Sequence, residues 1–377
     1  MSETRHFPRV VVGMSGGVDS SLAAALLLEQ GYDVVGVTIL PTNPRSPGSE
    51  GLETQRQGVA AKAGRVCETL HIPHIVIDVE EEFRAKVIGP FVTAYLEGKT
   101  PNPCVLCNPR IKWACLGETA VKVGAERIAT GHYARVRWSP STGRAWIARG
   151  TDAVKDQSYM LWGLSQEQLA RTLFPLGGMT KREVRMEARA RGLDASDEPE
   201  SYDICFIPDD DYRRYLRATV EMDFDALQGG PVIYEGRCIG RHEGYPFYTI
   251  GQRRGLNAAI GVPLYVVGID PRTNTVFVDR KERTGRNFCI VGNVMLQKYP
   301  RLTRPIRVIG RIRFRDRGSP ALIIPRADGR IEVLFDEPRS AITPGQSAVW
   351  YEGDDLVGGG IIEAVAEKSH VMEDHDR

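Results

Sequence analysis

The segment Val10-Val11-Val12-Gly13-Met14-Ser15-Gly16-Gly17-Val18-Asp19-Ser20-Ser21 constrains this chain more than any other. A β-branched run feeds a turn of small residues. A helical stretch, Leu22 to Gln30, follows and is stopped by Gly31. Strand, small-residue turn and helix N-terminus together make an anion site. N–H groups in the first helical turn lack carbonyl partners, and the aligned peptide dipoles add partial positive charge there. Gly16 and Gly17 let the backbone come close to a phosphate, and Ser15, Ser20 and Ser21 add hydroxyl donors. No Gly-Lys-Ser/Thr ends the loop, which argues against a kinase or GTPase, and Gly-x-Gly-x-x-Gly is absent as well.

The first third of the chain alternates strand and helix. Strands are expected at Arg9–Gly13, Asp33–Ile39, His74–Val79 and Arg127–Thr130. Helices are expected at Asp19–Gln30, Glu53–Leu70, Glu80–Glu97 and Ile111–Val123, with a Pro/Gly/Ser loop at Pro41–Gly51. Such alternation implies an α/β fold with a parallel sheet, whose ligand site lies beyond the carboxyl ends of the strands. The glycine loop, the loop after Ile39 and Gly131-His132-Tyr133 all fall there. A hairpin is expected around Ser-Pro-Ser-Thr-Gly, from Arg135 to Arg149, and helices start at Ser165 and Thr180. From Gly229 onward short strands with Gly/Pro turns predict small β domains or a barrel, including one strand over Arg307–Arg313. Boundaries near 216 and 286 divide the chain into 1–216, 217–286 and 287–377, with a polar tail at Glu367–Arg377.

With 49 basic and 48 acidic residues, any nucleic-acid surface must be local. No apolar run approaches the roughly 20 residues that span a bilayer, and Met1–Arg9 lacks a signal-peptide core, so a soluble cytoplasmic protein is expected. Seven cysteines in such a chain read as buried thiols, metal ligands or reactive thiols rather than a disulfide framework.

Two thiols stand three apart in the proline-stiffened loop Thr100-Pro101-Asn102-Pro103-Cys104-Val105-Leu106-Cys107-Asn108-Pro109. Cys-x-x-Cys suits a zinc knuckle, a redox pair or an iron–sulfur ligand pair, although no second pair completes a zinc set. Cys205 lies in a short apolar segment between acidic turns, Ser201–Asp209. Cys67, Cys115, Cys238 and Cys289 read as core thiols. Lys155 can meet a phosphate and Gln157 a base edge. Tyr133, Trp113 and Phe314 are candidate stacking platforms. Arg213-Arg214-Arg217, Arg253-Arg254 and the alternating Arg311, Arg313, Arg315 and Arg317 are candidate phosphate contacts, the last set on one side of a strand.

Ser-Gly-Gly-Val-Asp-Ser resembles the pyrophosphate loop of the ATP pyrophosphatase superfamily. The ordered set of Ser15–Ser20, Thr100–Asn108, Gly131–Ala134, Lys155–Leu161, Ile204–Ile207, Tyr248–Leu256 and Pro344–Val349 closely resembles the bacterial tRNA-specific 2-thiouridylases. That resemblance implies an adenylating α/β domain, a small central domain and a C-terminal β-barrel. It implies ATP-dependent sulfur insertion at C2 of wobble uridine 34 in tRNAs for Lys, Glu and Gln, giving 2-thiouridine, AMP and pyrophosphate. Gly13, Met14, Ser15, Gly16, Gly17, Val18, Asp19, Ser20, Ile39 and Gly131 would bind ATP, with Asp19 a candidate for Mg2+. Asn102, Pro103 and Cys104 would lie against the target base. Cys107 would be the nucleophile and Cys205 the persulfide carrier loaded by a sulfur-donor protein; Cys107 would attack as thiolate, helped by a lowered thiol pKa, either on the terminal sulfur to free sulfide or with a Cys107–Cys205 disulfide formed on release. His132, Lys155, Asp156, Gln157, Arg313, Phe314 and Gln346 would touch tRNA. Many relatives carry Asp where this chain has Cys104, so Cys104, Cys107 and Cys205 also suit a [4Fe–4S] cluster, and both sulfur routes stay open. The competing readings are a small-molecule adenylating enzyme of the same superfamily and a non-catalytic RNA-binding or iron–sulfur protein.

Overall fold

The computed structural model describes residues 7–41, 52–193, 204–207, 209–220, 224–256 and 260–366. The Pro41–Gly51 loop past its first residue, the turn at 201–203 and the tail Glu367–Arg377 lie outside them. The opening β-branched run forms β1 (Arg9–Gly13), whose valines are buried on both faces, as a covered parallel sheet requires. The alternation continues through α1 (Val18–Glu29), β2 (Asp33–Leu40), α2 (Leu52–Thr69) and β3 (His74–Asp78).

The helix expected over Glu80–Glu97 is interrupted. It consists of α3 (Glu80–Phe83), a π-helical turn over Arg84–Ile88, and α4 (Gly89–Leu96). A second π turn, Asn108–Lys112, joins α5 (Pro103–Cys107) to α6 (Trp113–Lys122). Pro90 and Pro109 have no N–H for the carbonyl four residues back, and the wider turn accommodates each of them. The Cys-x-x-Cys segment expected as a loop is therefore helical.

Next come β4 (Arg127–Ala129), the hairpin β5 (Ala134–Ser139) and β6 (Arg144–Arg149), α7 (Gln166–Arg171), β7 (Thr172–Leu173) and α8 (Lys181–Ala190). Helices α7 and α8 begin where expected, on capping boxes of Ser165 with Gln168 and Thr180 with Glu183. The parallel sheet has the order β3-β2-β1-β4-β7. Strand order reverses at β1, so the loops after β1 and β4 bound the crevice where such sheets hold ligands.

After α9 (Tyr212–Thr219), strands β8 (Gly230–Tyr234), β9 (Arg237–His242), β10 (Tyr265–Asp270) and β11 (Thr275–Asp279) form a sheet of order β10-β11-β8-β9. The last six strands are β12 (Gly285–Leu296), β13 (Ile306–Arg311), β14 (Ser319–Pro325), β15 (Ile331–Ser340), β16 (Ser347–Glu352) and β17 (Asp355–Ala366). They close into a barrel in the order β12-β15-β14-β13-β16-β17, with β17 pairing back to β12. The expected architecture of parallel sheet, small central unit and C-terminal barrel is present.

The strand expected over Arg307–Arg313 ends at Arg311. Asp316 then accepts the N–H groups of Ile312 and Gly318 and bends the chain, so the four arginines share no face. Cys67, Cys115 and Cys289 are buried as expected, but Cys238 on β9 is exposed. No helix among the described residues is long and apolar enough to cross a membrane.

The barrel docks on the parallel-sheet unit through a shared sheet edge and a shared core. Hairpin strand β6 pairs with β17 at Ala148 and Asp355. One hydrophobic cluster runs from Val11 and Val35 through Trp113 and Tyr159 to Val349, Tyr351 and Leu356. Within this junction Gln297 is completely buried. Its amide nitrogen donates to the carbonyls of Leu161 (2.9 Å) and Trp162 (3.1 Å), and its oxygen accepts from Ile147 N–H (3.0 Å). Gln297→Leu strands these backbone groups in an apolar surround and should cost about 3 kcal/mol. The check is the urea midpoint of the full-length protein, and an unchanged midpoint would mean that Gln297 does not hold the junction.

Candidate active site

The loop after β1 is tied down from inside. Met14 N–H donates to the Val37 carbonyl at 2.7 Å, and the Thr38 hydroxyl donates to the Met14 carbonyl at 2.9 Å. Ser20 Oγ accepts Ser15 N–H (3.2 Å) and donates to the Gly17 carbonyl (3.0 Å), which also accepts Ser21 Oγ (2.9 Å). Ser20 and Ser21 therefore hold the loop instead of offering hydroxyls outward, while Ser15 is exposed. The side chains of Met14 and Val18 are buried, which leaves their backbone for a ligand. Gly16 has φ of 75°, and a Cβ there would stand 2.7 Å from Lys62 Cβ. Gly17 caps α1 without any side-chain bond, so the N–H groups of that first turn stay available. Gly131, from the loop after β4, lies directly on this turn. A Cβ at Gly131 would be 2.8 Å from the Asp19 carbonyl carbon and 2.9 Å from Ser20 N. Ile39 is half-buried near the end of β2.

Asp19 has partners that local sequence does not reveal. The Tyr133 hydroxyl donates to Oδ1 at 2.7 Å, and Lys181 Nζ donates to both carboxylate oxygens at 2.7 and 2.8 Å. Burial and the Asp19 charge push the Tyr133 phenol well above its ordinary value, so it remains a donor. Tyr133 and Trp113 are buried and present no face to a base, contrary to expectation. The Trp113 indole donates to Thr172 Oγ1 at 2.7 Å. His132 packs on Trp113 and Phe174 and shares a 2.8 Å hydrogen bond with Thr130 Oγ1; burial pushes its imidazole down to about 3. Among the described residues no three His, Cys, Asp or Glu side chains are grouped to hold a metal ion. Mg2+ does not need such a cage: one carboxylate plus nucleotide phosphates and water suffices, and Asp19 fits that role.

The second part of the site starts at Asn102. Its Oδ1 accepts Cys104 N–H at 3.1 Å, and Pro103 takes the first helical position, where a missing N–H costs nothing. Cys104 is half-buried, and Cys107, on the same short helix, is buried. Cys205 arrives from the other side of this unit. Its neighbour Phe206 packs edge-on to Phe83 (5.6 Å) and Phe91 (5.3 Å), and Ile207 is fully buried, which anchors the segment. The three thiols lie near enough that charge on Cys107 or Cys104 disfavours charge on Cys205. Solvent reaches Cys205, yet protein surrounds it, and desolvation followed by these neighbours pushes its thiol up to about 12. Burial raises Cys107 too, against an opposing pull from Lys112. The lowered thiol pKa expected from sequence is therefore absent in this conformation. None of the seven cysteines is in a disulfide, so the expected Cys107–Cys205 bond is not formed. As placed, the thiols of Cys104, Cys107 and Cys205 do not form a set that would hold a cluster.

Most of the expected tRNA contacts have internal partners. Asp156 is buried: Oδ1 accepts the N–H groups of Gly150 (3.2 Å) and Ser158 (3.1 Å), and Oδ2 pairs with buried Arg311 at 3.1 Å. Gln157 Oε1 accepts Tyr133 N–H at 3.0 Å, and Gln346 Nε2 donates to the Thr100 carbonyl at 3.2 Å. Arg313 is exposed, Lys155 is half-buried, and half-buried Phe314 leans on the Tyr159 ring at 6.2 Å. Arg214 pairs with Asp209 at 2.7 Å, and Arg217 lies over the Phe247 ring at 4.3 Å. Sequence reasoning missed Lys181. The signal was there: a lysine at the first position of a helix opposes the dipole unless an anion is close.

A glycine turn at the switch point of a parallel sheet, with its first helical N–H groups uncapped, three thiols near one another and a docked barrel define an α/β protein equipped for anion binding and thiol chemistry. Residues 8–209 match the family model described as tRNA methyl transferase HUP domain. Residues 224–280 match the tRNA methyl transferase PRC-barrel domain, and 289–362 the aminomethyltransferase beta-barrel domain. The tRNA-specific 2-thiouridylase MnmA of Salinibacter ruber is 48% identical over 95% of this chain and 94% of its own length. That of Pelotomaculum thermopropionicum is 45% identical over 95% and 98%. A solved structure, U34-tRNA thiolase NcsA from Methanococcus maripaludis with its [4Fe-4S] cluster, covers 56% of this chain and 65% of its own at 19% identity, with a TM-score of 0.33. The chain belongs to the tRNA-specific 2-thiouridylase family.

Two outcomes follow from the geometry. Gly131→Ala drives a methyl group into the backbone of Asp19 and Ser20 and should weaken ATP binding by about tenfold or more; equilibrium titration with ATP measures it, and unchanged affinity would show that the β4 loop does not support the turn. Since the thiolate is the reactive form and Cys205 is raised, its alkylation by iodoacetamide should be slow at pH 7 and climb without a plateau to pH 10. Peptide mass spectrometry reads this, and a plateau below pH 9 would contradict it.

Proposed function

We propose that this chain catalyses ATP-dependent 2-thiolation of wobble uridine 34 in tRNAs for Lys, Glu and Gln, yielding 2-thiouridine, AMP and pyrophosphate. It acts in the cytoplasm on the anticodon loop and takes sulfur from a protein that carries a persulfide. The observation that carries this reading is the approach of Cys205 to the Cys104–Cys107 helix from about a hundred residues away in sequence.

The chemistry divides between the two parts of the site. A uridine C2 carbonyl is a weak electrophile with a poor leaving group. Transfer of AMP to its oxygen corrects both faults. The backbone N–H groups from Gly13 to Ser20, with Ile39 and Gly131 beside them, bind the nucleotide, and α1 stabilises charge on the phosphates. Asp19 would hold Mg2+, which would supply further charge neutralisation on the phosphates. Asn102, Pro103 and Cys104 lie against the uridine, which leaves the anticodon stack to reach them. Solvent-reachable Cys205 accepts sulfur, and Cys107 is the nucleophile that passes it on. External thiols supply the two electrons that turn sulfane sulfur into a thiocarbonyl. Lys155, Gln157, Arg313 and Phe314 contact tRNA, while His132, Asp156 and Gln346 shape the surface that receives it. The functional units divide near residues 216 and 286.

Cys107→Ser should lower 2-thiouridine formation to about one hundredth or less while tRNA affinity stays within about twofold. Nucleoside analysis and filter binding check the two arms, and undiminished thiolation would remove Cys107 from the mechanism. Cys104→Asp should keep activity on the persulfide route, which asks no iron ligand of this position; joint loss of bound iron and activity in that variant would favour the cluster route instead.

A further inference from the structure

The nucleotide turn hangs from the neighbouring strand β2 at one residue, Met14. The Val37 carbonyl accepts its N–H at 2.7 Å, and its carbonyl accepts the Thr38 hydroxyl at 2.9 Å. Ser20 Oγ accepts the next N–H, that of Ser15, at 3.2 Å, so the Met14–Ser15 peptide is gripped at both ends. Thr38 is completely buried and has a single hydroxyl proton, which goes to the Met14 carbonyl. His74 Nε2 lies 2.8 Å from the same hydroxyl oxygen, so the imidazole is the donor there and carries a proton on Nε2. Burial holds this ring below its ordinary pKa, against an opposing pull from Glu68, which suits the neutral form. His74 opens β3, on the far side of β2 from β1, so the donor chain crosses from β3 over β2 to the turn. Helix α2 packs on both the imidazole and the turn. A Cβ at Gly64 would stand 3.5 Å from His74 Nδ1, while Lys62 and Ala63 lie against Gly16.

We propose, resting on the nucleotide-loop reading above, that Thr38 and His74 are positioning residues for the nucleotide: the donor chain from imidazole to hydroxyl to the Met14 carbonyl fixes the first peptide of the turn, and with it the placement of the uncapped N–H groups that receive the phosphates. Each acts through Met14 rather than on the ligand. Gly16 and Gly17 give the turn little conformational preference of its own, so its shape must come from outside. His74 polarises the Thr38 hydroxyl and strengthens the bond that the hydroxyl makes. A turn held still in advance loses less freedom when its ligand binds. Valine at position 38 would keep the shape of the side chain but leave the Met14 carbonyl and the imidazole N–H without each other's bridge.

The test uses full-length Thr38→Val, Thr38→Ser, His74→Leu and His74→Gln proteins. Each is titrated calorimetrically with α,β-methylene-ATP and Mg2+ well below its melting temperature, and melted without nucleotide. Thr38→Val should bind the analogue about tenfold more weakly, and His74→Leu about fivefold more weakly. Thr38→Ser and His74→Gln, which restore a donor, should recover most of each loss, and tRNA affinity should stay at the wild-type value in all four. Wild-type affinity for the analogue in either Thr38→Val or His74→Leu, whatever its melting temperature, reduces the chain to a fold contact, and the proposal falls alone. A loss that neither conservative variant recovers counts against it equally. Should Thr38→Val fail to fold, His74→Leu, at a half-buried position, decides by the same measure. If the wild-type protein itself does not bind the analogue, the nucleotide-loop reading falls and takes the proposal with it.

Discussion

The buried pair of Asp156 and Arg311 sits where the barrel meets the unit that carries the parallel sheet. Asp156 belongs to the segment that follows the β5–β6 hairpin, and Arg311 closes strand β13 of the barrel. Their side chains are almost fully buried, and the guanidinium also lies over the rings of Tyr159 (5.4 Å) and Tyr351 (5.9 Å) and donates to the Phe314 carbonyl. Desolvation makes such a pair a poor source of net stability, but removing one partner leaves an uncompensated buried charge. Its effect is to fix register. Asp156 sets the turn from Gly150 to Ser158, Gln157 in that turn holds Tyr133, and Tyr133 holds Asp19. On the other side Arg311 shapes the turn that carries Arg313 and Phe314. One ion pair thus positions both the nucleotide turn and the outward residues of the barrel.

The thiol helix depends on the same docking. Thr100 N–H donates to the Pro344 carbonyl at 2.9 Å, and Gln346 returns a bond to the Thr100 carbonyl, so the barrel grips the chain just before Asn102. Past the helix, Asn108 Nδ2 donates to the Met160 carbonyl at 2.9 Å and Gln168 Nε2 to the Pro109 carbonyl at 3.0 Å. Five residues of helix are too few to hold a shape by propensity. Contacts at both ends supply the order. The barrel is therefore part of what gives Cys104 and Cys107 their positions, whatever else it binds.

Local chemistry was legible in the sequence and distant partnership was not. Ser165, Thr180 and the turn from Gly13 to Ser20 announce themselves because each signal lies within a few residues of the structure it produces. Helix α1 even reads as functional by contrast: α7 and α8 spend side chains on their first N–H groups, while α1 starts on Gly17 and leaves its own unspent. The ion pair of Asp19 and Lys181 joins residues 162 apart, and nothing near either one names the other. Arg311 looked like the first of four exposed arginines until Asp316 bent the strand and Asp156 neutralised the charge. Strands β12 and β17 are hard to read from sequence, because Gly292 and Gly358–Gly360 depress strand propensity, Gly358 and Gly360 at points where another backbone passes close by. The meeting of Cys205 with Cys107 was expected from family resemblance alone; hydrophobic anchoring of Phe206 and Ile207 is the physical cause, and its partners Phe83 and Phe91 lie in a different stretch of the chain.

The differing exposure of the thiols has a consequence for sulfur delivery under the proposed assignment. A donor protein must bring its persulfide to within bonding distance of a cysteine, which a large partner can do at a thiol solvent can reach, and of the three grouped thiols Cys205 is the exposed one. The activated uridine needs the opposite, a water-excluded surround where a charged leaving group and a nucleophile meet without hydrolysis, and buried Cys107 has it. Desolvation raises both thiols above their ordinary pKa and so keeps them protonated and slow to oxidise while no substrate is bound. Lys112, at the end of the π turn that follows Cys107, is the charge that favours thiolate there. The elevated pKa and the nearby lysine are not in conflict: burial keeps the resting thiol inert, and the lysine offsets part of the cost of ionisation when the nucleophile is required.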